Sequence, residues 1–242
     1  MNIVWEDDHC LVVNKPSGLL TTSTGDVDSL EKELRKFLST RGACQPFTGL
    51  PHRIDRPVSG AVLVGKTAKA TKAFCAQFQS RKIDKTYIAV FNGHPNPPAE
   101  SWTDWMRKIP DRAAAEIVNE NHPDARQARL SFETVNSDET MSVARIELET
   151  GRTHQIRLQF ASRGFPILGD EQYGSETPFG PQFEDERKRA IALHAWRIEF
   201  RHPKTAKAIR VEAPFPSYWL EQPVVSQLIG DRSNGFSFGQ EL

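Results

Sequence analysis

The chain has 242 residues, 38% hydrophobic and 26% charged, which suits a globular protein with a core of its own, in one generous domain or two small ones. No apolar run approaches the roughly 18 residues that span a bilayer, and MNIVWEDDHC carries acid where a secretory signal needs a basic patch and an apolar stretch. A cytoplasmic address is therefore expected. Lys plus Arg and Asp plus Glu number 31 each, so a surface for a polyanion can arise only from segregated charge.

In chain order, Ile3 to Trp5 and Cys10 to Asn14 read as short strands around the polar turn Glu6–His9, and Lys15-Pro16-Ser17-Gly18 stops the second. Asp28 with Glu31 has the form of a capping box, and Leu30, Leu34, Phe37 and Leu38 recur at helical spacing, so a helix is expected from Asp28 to about Thr40, ended by Gly42. Ala61 to Val64 is an apolar strand. Thr67 then caps a helix whose inner face carries Ala70, Phe74 and Phe78.

Lys85 to Phe91 returns as a strand. From Asn92 to Arg112 the chain holds Pro95, Pro97, Pro98 and Pro110 and two tryptophans without clear periodicity, and is expected to be a long surface excursion. Strands resume at Ala114 to Val118, Ala128 to Val135 and Ser142 to Glu149, the last with Ala144, Ile146 and Leu148 on one face. Thr153 to about Ala161 reads as helix and Gly169 to Glu186 as irregular. His194, Trp196, Ile198 and Phe200 alternate on a strand, followed by another around Ile209 and Val211. This order predicts an α+β fold with a mixed, largely antiparallel sheet flanked by helices. The expected division is a domain over 1–225 and a flexible tail over 226–242.

Cys10, Cys44 and Cys75 are odd in number and form no CxxC pair, so each reads as a small hydrophobe rather than as part of a disulfide framework or zinc site. His52, His154 and His194 lack the spacing of a metal site, and no metal is expected. Gly60-Ala-Val-Leu-Val-Gly65-Lys66-Thr67 matches the phosphate-loop pattern letter for letter. Its middle is an apolar run with strand preference, whereas a phosphate loop needs a turn whose N–H groups wrap an anion. No nucleotide is expected there.

Three segments concentrate chemistry. In His52-Arg53-Ile54-Asp55-Arg56 one carboxylate lies among two guanidiniums and an imidazole; an extended loop puts Arg53 and Asp55 on one face and Ile54 in the core. This is either an ionised Asp at a cleft for a polyanion or a surface ion-pair cluster. Gly151-Arg152-Thr153-His154-Gln155-Ile156-Arg157 opens a helix with Arg and His exposed in its first turns, suited to an anion or to pairing with neighbouring acids. Lys85 and Tyr87 share a strand face, where the ring is either a stacking platform for an unstacked base or a core tyrosine. Basic clusters at Arg81, Lys82 and Lys85 and at Arg152 with Arg157 contrast with acid at Glu6–Asp8 and in FEDE at Phe183 to Glu186.

Together these segments resemble the RluA-type family of pseudouridine synthases. The resemblance runs through VVNKPSGLL at Val12 to Leu20, HRIDRPVSG at His52 to Gly60, KTYIAV at Lys85 to Val90, LETGRTHQIR at Leu148 to Arg157, GFPILGDEQYG at Gly164 to Gly174 and LHAWRIEFRHP at Leu193 to Pro203. Two positions depart from it: Val58 stands where threonine is usual, and Gln159 where histidine is frequent. The resemblance implies that Asp55 is the catalytic carboxylate, Tyr87 packs on the target base, Arg157 pairs with Asp55, and Arg53 enters the RNA to displace the uridine. His52, Arg56, Lys85, Arg152, His154 and Gln155 are its expected substrate contacts. It implies structured ribosomal or transfer RNA as substrate, no metal, nucleotide or other cofactor, and a monomer. Many relatives carry a small RNA-binding domain before the catalytic one; here the pattern starts near Met1, so none is expected. An RNA-binding module without catalysis and a glycosidase-like hydrolase of small substrates are the rival readings.

Overall fold

A computed structural model describes residues 1–22, 25–42 and 46–230. Ten strands form one sheet: β1 (Ile3–Glu6), β2 (Cys10–Lys15), β3 (Ser59–Gly65), β4 (Asp84–Asn92), β5 (Ala99–Lys108), β6 (Ala115–Ile117), β7 (Arg126–Ser137), β8 (Met141–Leu148), β9 (Leu193–Arg201) and β10 (Ala208–Glu212). Their order is β1-β2-β3-β9-β4-β8-β7-β5-β6, with β10 on the edge of β9 that β3 leaves open. Every pairing is antiparallel except β3 with β9. The expected α+β class with a mixed, largely antiparallel sheet is what the chain forms.

The sheet is covered on both faces around β2 and β3, and alternation sorts their apolar runs between two cores. Leu11, Val13, Val62 and Val64 point into a large cluster with Ile88, Val90, Ile146, Phe160 and Trp219. Cys10, Val12, Ala61 and Leu63 point the other way, against Phe74, Ile198, Phe200 and Val211. Helix α2 (Ala68–Gln79) brings Phe74 there, its Thr67 side chain accepting from the Ala70 N–H. The parallel contact of β3 with β9 requires Gly60: its φ is +119°, and a Cβ would stand 2.3 Å from the Ala195 carbonyl oxygen.

Four expectations need correction. Helix α1 (Leu30–Thr40) is capped by Ser29, not Asp28; the Leu20 and Thr21 carbonyls accept from the Leu30 and Glu31 N–H groups, so the first turn is satisfied without a capping box. The segment 92–112 is no surface excursion, because β5 runs for 10 residues inside it. Trp102 and Met106 are buried on one face of β5, and Asp104 between them bonds Gln159 at 2.6 Å, which put a charge into the apolar alternation and hid the strand. Helix α3 (Gln155–Ala161) buries Gln155 and Arg157 in its first turn rather than exposing it. Helix α4 (Pro223–Gly230) runs across the expected boundary at 225 as far as residue 230, with Val224 and Val225, on the domain side, buried beside Trp219; residues 231–242, like Cys44, lie outside the described residues.

Candidate active site

The loop His52–Val58 leads into β3 and is clamped from both ends. Ile54 is buried, and its N–H and C=O both bond the Thr21 hydroxyl, at 3.2 and 2.8 Å. Lys15 is completely buried; its ammonium donates to the carbonyls of Pro16, Leu19 and Arg56. The Arg56 guanidinium in turn donates to the Gly18 carbonyl at 2.9 Å. With the backbone fixed on either side, Arg53 and Asp55 face outward, as the expected extended loop requires.

Asp55 lines a cavity of about 490 Å³ together with Arg53, Lys85, Tyr87, Arg152, His154 and Arg157. Its Oδ2 lies 3.4 Å from Arg157 Nη1 and 3.9 Å from His154 Nε2. Arg157 itself is held elsewhere. Its Nε and Nη2 donate to the two carboxylate oxygens of Asp170 at 2.6 and 2.7 Å, and Nη2 also reaches Gln172 Oε1 at 2.9 Å. The guanidinium thus presents only Nη1 to Asp55. Burial opposes its charge, but the Asp170 hydrogen bonds and the Asp170 and Asp55 charges outweigh burial and hold it above the usual arginine value.

Asp170 was missed in the sequence, although it stands in the GFPILGDEQYG segment. It lies in an irregular stretch where no periodicity marks a buried acid. Gly169 before it has φ +79°, and a Cβ there would stand 2.6 Å from the Ala190 carbonyl oxygen, so a glycine is needed to turn Asp170 under Arg157. Tyr173 completes the support: its ring faces the Arg157 guanidinium at 5.0 Å and its hydroxyl meets His154 Nδ1 at 3.0 Å.

Tyr87 is buried but lines the cavity, and its hydroxyl makes no hydrogen bond among the described residues. Burial, reinforced by the Asp55 charge, pushes the phenol well above the usual range, so the proton stays on oxygen at neutral pH. His154, at φ +52°, is held below its ordinary value chiefly by burial, against the pull of Asp55. His52 is pushed down to about 3 by burial and by Lys85; its Nε2 accepts from the Leu63 N–H at 2.8 Å, and its ring packs on Phe78. Both imidazoles are therefore neutral groups at neutral pH.

Two more expected contacts are braces. Gln155 uses its whole amide internally, accepting from the Thr150 hydroxyl and the Arg152 N–H and donating to the Arg129 carbonyl and Gln159. Arg56 lines a separate, smaller cavity on the far side of Arg157. Arg53, Lys85 and Arg152 do reach the main cavity. Of the departures, Val58 is buried in its wall, and Gln159 is wholly buried between Gln155 and Asp104.

The phosphate-loop match is accidental in geometry: β3 runs through its middle, and Lys66 pairs with Glu6 at 2.9 Å. His194 belongs to the core, bonded to Ser59 and the Ala213 carbonyl, and assembles no triad with His52 and His154. Asp7, Cys10 and His202 do cluster elsewhere. There His202 Nδ1 accepts from the Thr205 N–H, Nε2 lies 2.6 Å from Asp7 Oδ2, and burial with the Asp7 charge pushes the Cys10 thiol up to about 12.

Asp55 faces the cleft beside a buried arginine and a tyrosine, and Arg53, Lys85 and Arg152 rim it, an arrangement suited to an enzyme of polyanions. Comparison with known proteins agrees. Residues 9–162 match the family model described as RNA pseudouridylate synthase. The chain is 32% identical over 224 residues to ribosomal large subunit pseudouridine synthase D of Zymomonas mobilis, covering 89% of this chain and 69% of that protein. It is 32% identical to ribosomal large subunit pseudouridine synthase C of Vibrio cholerae, over 91% of this chain and 67% of the relative. Among solved structures, human RNA pseudouridylate synthase domain containing 4 has the same fold, with a TM-score of 0.74 at 20% identity over 94% of this chain and 93% of that one. The chain belongs to the RNA pseudouridylate synthase family.

Proposed function

We propose that this protein converts uridine to pseudouridine within structured RNA, with Asp55 as the catalytic carboxylate. The observation that carries the reading is the placement of Asp55: it faces the cavity with Arg157 Nη1 at 3.4 Å and Tyr87 in the same wall. The names of the Zymomonas mobilis and Vibrio cholerae relatives favour large-subunit ribosomal RNA as the substrate, with transfer RNA the alternative. Among the described residues no helix is long and apolar enough to cross a membrane.

The reaction is an isomerisation, and each part of the site has a task in it. The target nucleotide leaves the stack and enters the cavity, where Arg53, exposed at the mouth, fills the space it vacated. Asp55 then either attacks C1′ or removes the 2′ proton to give a glycal, and in both cases the N1–C1′ bond breaks with its electron pair going to the uracil. The base turns on the Tyr87 ring and C5 bonds C1′, which either breaks the Asp55–C1′ ester and frees the carboxylate or, on the glycal route, returns the 2′ proton from Asp55 to C2′; the C5 proton is then lost and N1 gains one. Product and substrate thus have the same atoms, and no redox or metal step is needed. The apolar wall around Tyr87 holds the detached uracil against the sugar and keeps water away from C1′.

Asp55→Asn tests this. The variant keeps the side-chain size and removes the charge, the nucleophile and the base. It should fold and bind RNA yet form no pseudouridine by carbodiimide-based chemical mapping of ribosomal and transfer RNA. Near wild-type conversion by the folded variant would remove Asp55 from the chemistry. Binding without conversion by the wild-type protein, on every RNA from cells lacking it, would favour the rival of a binding module.

A further inference from the structure

The cavity has a second set of polar groups that the chemistry at Asp55 leaves unused. Lys85 and Tyr87 alternate onto the cavity side of β4, about 7 Å apart at the rise of an antiparallel strand. Lys85 is half-buried, and its Nζ lies 3.8 Å from where a Cβ on Gly151 would stand. Among the described residues it makes no hydrogen bond and no ion pair. Burial pushes its ammonium down to about 8, opposed by the charge of its exposed neighbour Asp84. The group is still cationic at neutral pH.

His52 adds a donor beside it. Because Nε2 accepts from the Leu63 N–H, the neutral ring carries its proton on Nδ1, and that N–H has no partner among the described residues. Two arginines stand at the same end of the cavity, Arg81 and Arg152. Arg152 is held below the usual arginine value by burial and then by the like charges of Arg81 and Arg126. None of these three arginines forms an ion pair among the described residues. The one nearby acid that lines the cavity, Glu149, is taken by Arg129 at 3.1 Å.

Donors without acceptors, at one end of a cleft, are complementary to an anion with several oxygens. A partly buried ammonium with no counter-ion costs the folded state free energy, and an arriving anion offsets that cost. We propose that Lys85, with His52 Nδ1–H beside it and Arg81 and Arg152 at the rim, is a subsite for the phosphodiester flanking the target nucleotide. This rests on the reading of the Asp55 cavity as the uridine site. With the base on Tyr87, its flanking phosphate falls two residues along the same strand face. The subsite fixes the sugar in register with Asp55 and selects a uridine within a chain over free uridine.

The test couples a protein change to a substrate change. Lys85→Met keeps the stem and removes the charge, and the RNA carries a neutral methylphosphonate in place of the phosphodiester on the 5′ or the 3′ side of the target. Wild type should lose about tenfold in affinity at one of the two positions, as expected for one charge-assisted contact. Lys85→Met should lose a similar factor on unmodified RNA and nothing more at that position. Its log K against log salt slope should be shallower by about 0.7. Folding stability should be unchanged or higher, because the ammonium has no protein partner; a lysine kept for structure would do the reverse. Additive losses at both positions, an unchanged salt slope or a less stable Lys85→Met would overturn the subsite. These readouts are binding and folding, so they stand apart from the Asp55 reading, which fails instead if wild type converts no uridine.

Discussion

Asp170→Asn isolates the role of the buried acid under Arg157. The wild-type pair has side-chain exposures of 4% and 1% for Arg157 and Asp170, so neither charge has water to fall back on. Asparagine keeps the shape and one acceptor oxygen, but points an amide N–H₂ at a guanidinium and removes the balancing charge. Breaking one side of a buried pair costs about 3–5 kcal/mol, and the retained acceptor puts this case at the lower end. With m near 3 kcal/mol per molar urea for a chain of this size, the unfolding midpoint should fall by about 1 M. Turnover should fall further than stability explains. Freed from Asp170, Arg157 has Asp55 as its nearest carboxylate and collapses onto it, and an error of about 1 Å in a catalytic group costs on the order of 100-fold. Single-turnover conversion of saturating RNA at a temperature where the variant is fully folded measures that loss. The double variant Asp170→Leu/Arg157→Met, which removes both charges and fills the volume, should recover much of the midpoint but none of the turnover. A single variant that unfolds within 0.2 M of wild type, roughly the uncertainty of such a fit, and turns over normally would refute the idea that this pair holds Arg157 in place.

Further consequences follow from the same geometry. Tyr87→Phe should keep RNA affinity, because the ring still stacks, but slow turnover if the hydroxyl carries the proton that leaves C5; normal single-turnover rates would confine Tyr87 to packing. Arg53→Ala should impair modification of a structured RNA more than of a short flexible strand, since only the former needs base displacement; equal losses would end that assignment. Lys66→Ala should leave modification intact without added ATP, and saturable ATP binding lost in this variant would contradict the strand reading of Gly60 to Thr67. His52 and His194 are held neutral down to about 3 and about 4. Both folded values lie below the ordinary one, so below about pH 6.5 the unfolded chain binds the extra protons, and stability should fall toward pH 4 by at most about 1.4 kcal/mol per pH unit per histidine. Urea midpoints at pH 7, 6 and 5 measure this, and a flat series would show that these rings are not held neutral.

The fold was legible where one physical rule dominated. β2 and β3 carry apolar runs on both faces bounded by turn residues, β9 alternates with Trp196, Ile198 and Phe200 on one face, and α2 has a clean cap and stripe, so both strand and helix rules succeed there. β5 failed because its inner face reads Trp102, Asp104, Met106, and the middle residue is a half-buried charge bonded to Gln159, 55 positions away, and paired with Arg163. At the site, the motifs marked Asp55, Tyr87 and Arg157 through the family resemblance, and the structure brings the three to one cavity. Local pattern could not show that Arg157 is held mainly by Asp170, nor that Lys15 and Thr21 clamp the Asp55 loop, because these bonds join distant segments. Nor could local pattern show that His52 Nε2, Arg56 Nε and the Gln155 amide are engaged in hydrogen bonds within the protein.

A net charge of zero looked unfavourable for RNA binding, and the ion pairs explain why it is compatible with it. Glu6, Glu31, Glu116 and Glu133 bind Arg41 with Lys66, Arg35, Arg107 and Arg145, which neutralises acid and base together. Arg53, Lys85 and Arg152 form no ion pair among the described residues, and all line the Asp55 cavity. Neutral histidines on the cavity wall add no charge, and Arg157 with Asp170 and Asp55 leaves one net negative charge against the three unpaired cations. The field at the cavity mouth is therefore positive while the molecule as a whole is neutral. An RNA is drawn by that local field over about 8 Å at physiological salt, so its affinity should fall steeply between 50 and 200 mM salt, by roughly tenfold or more for the few phosphates these cations can reach. Charge that is paired contributes to the fold, and only the unpaired remainder is available to substrate.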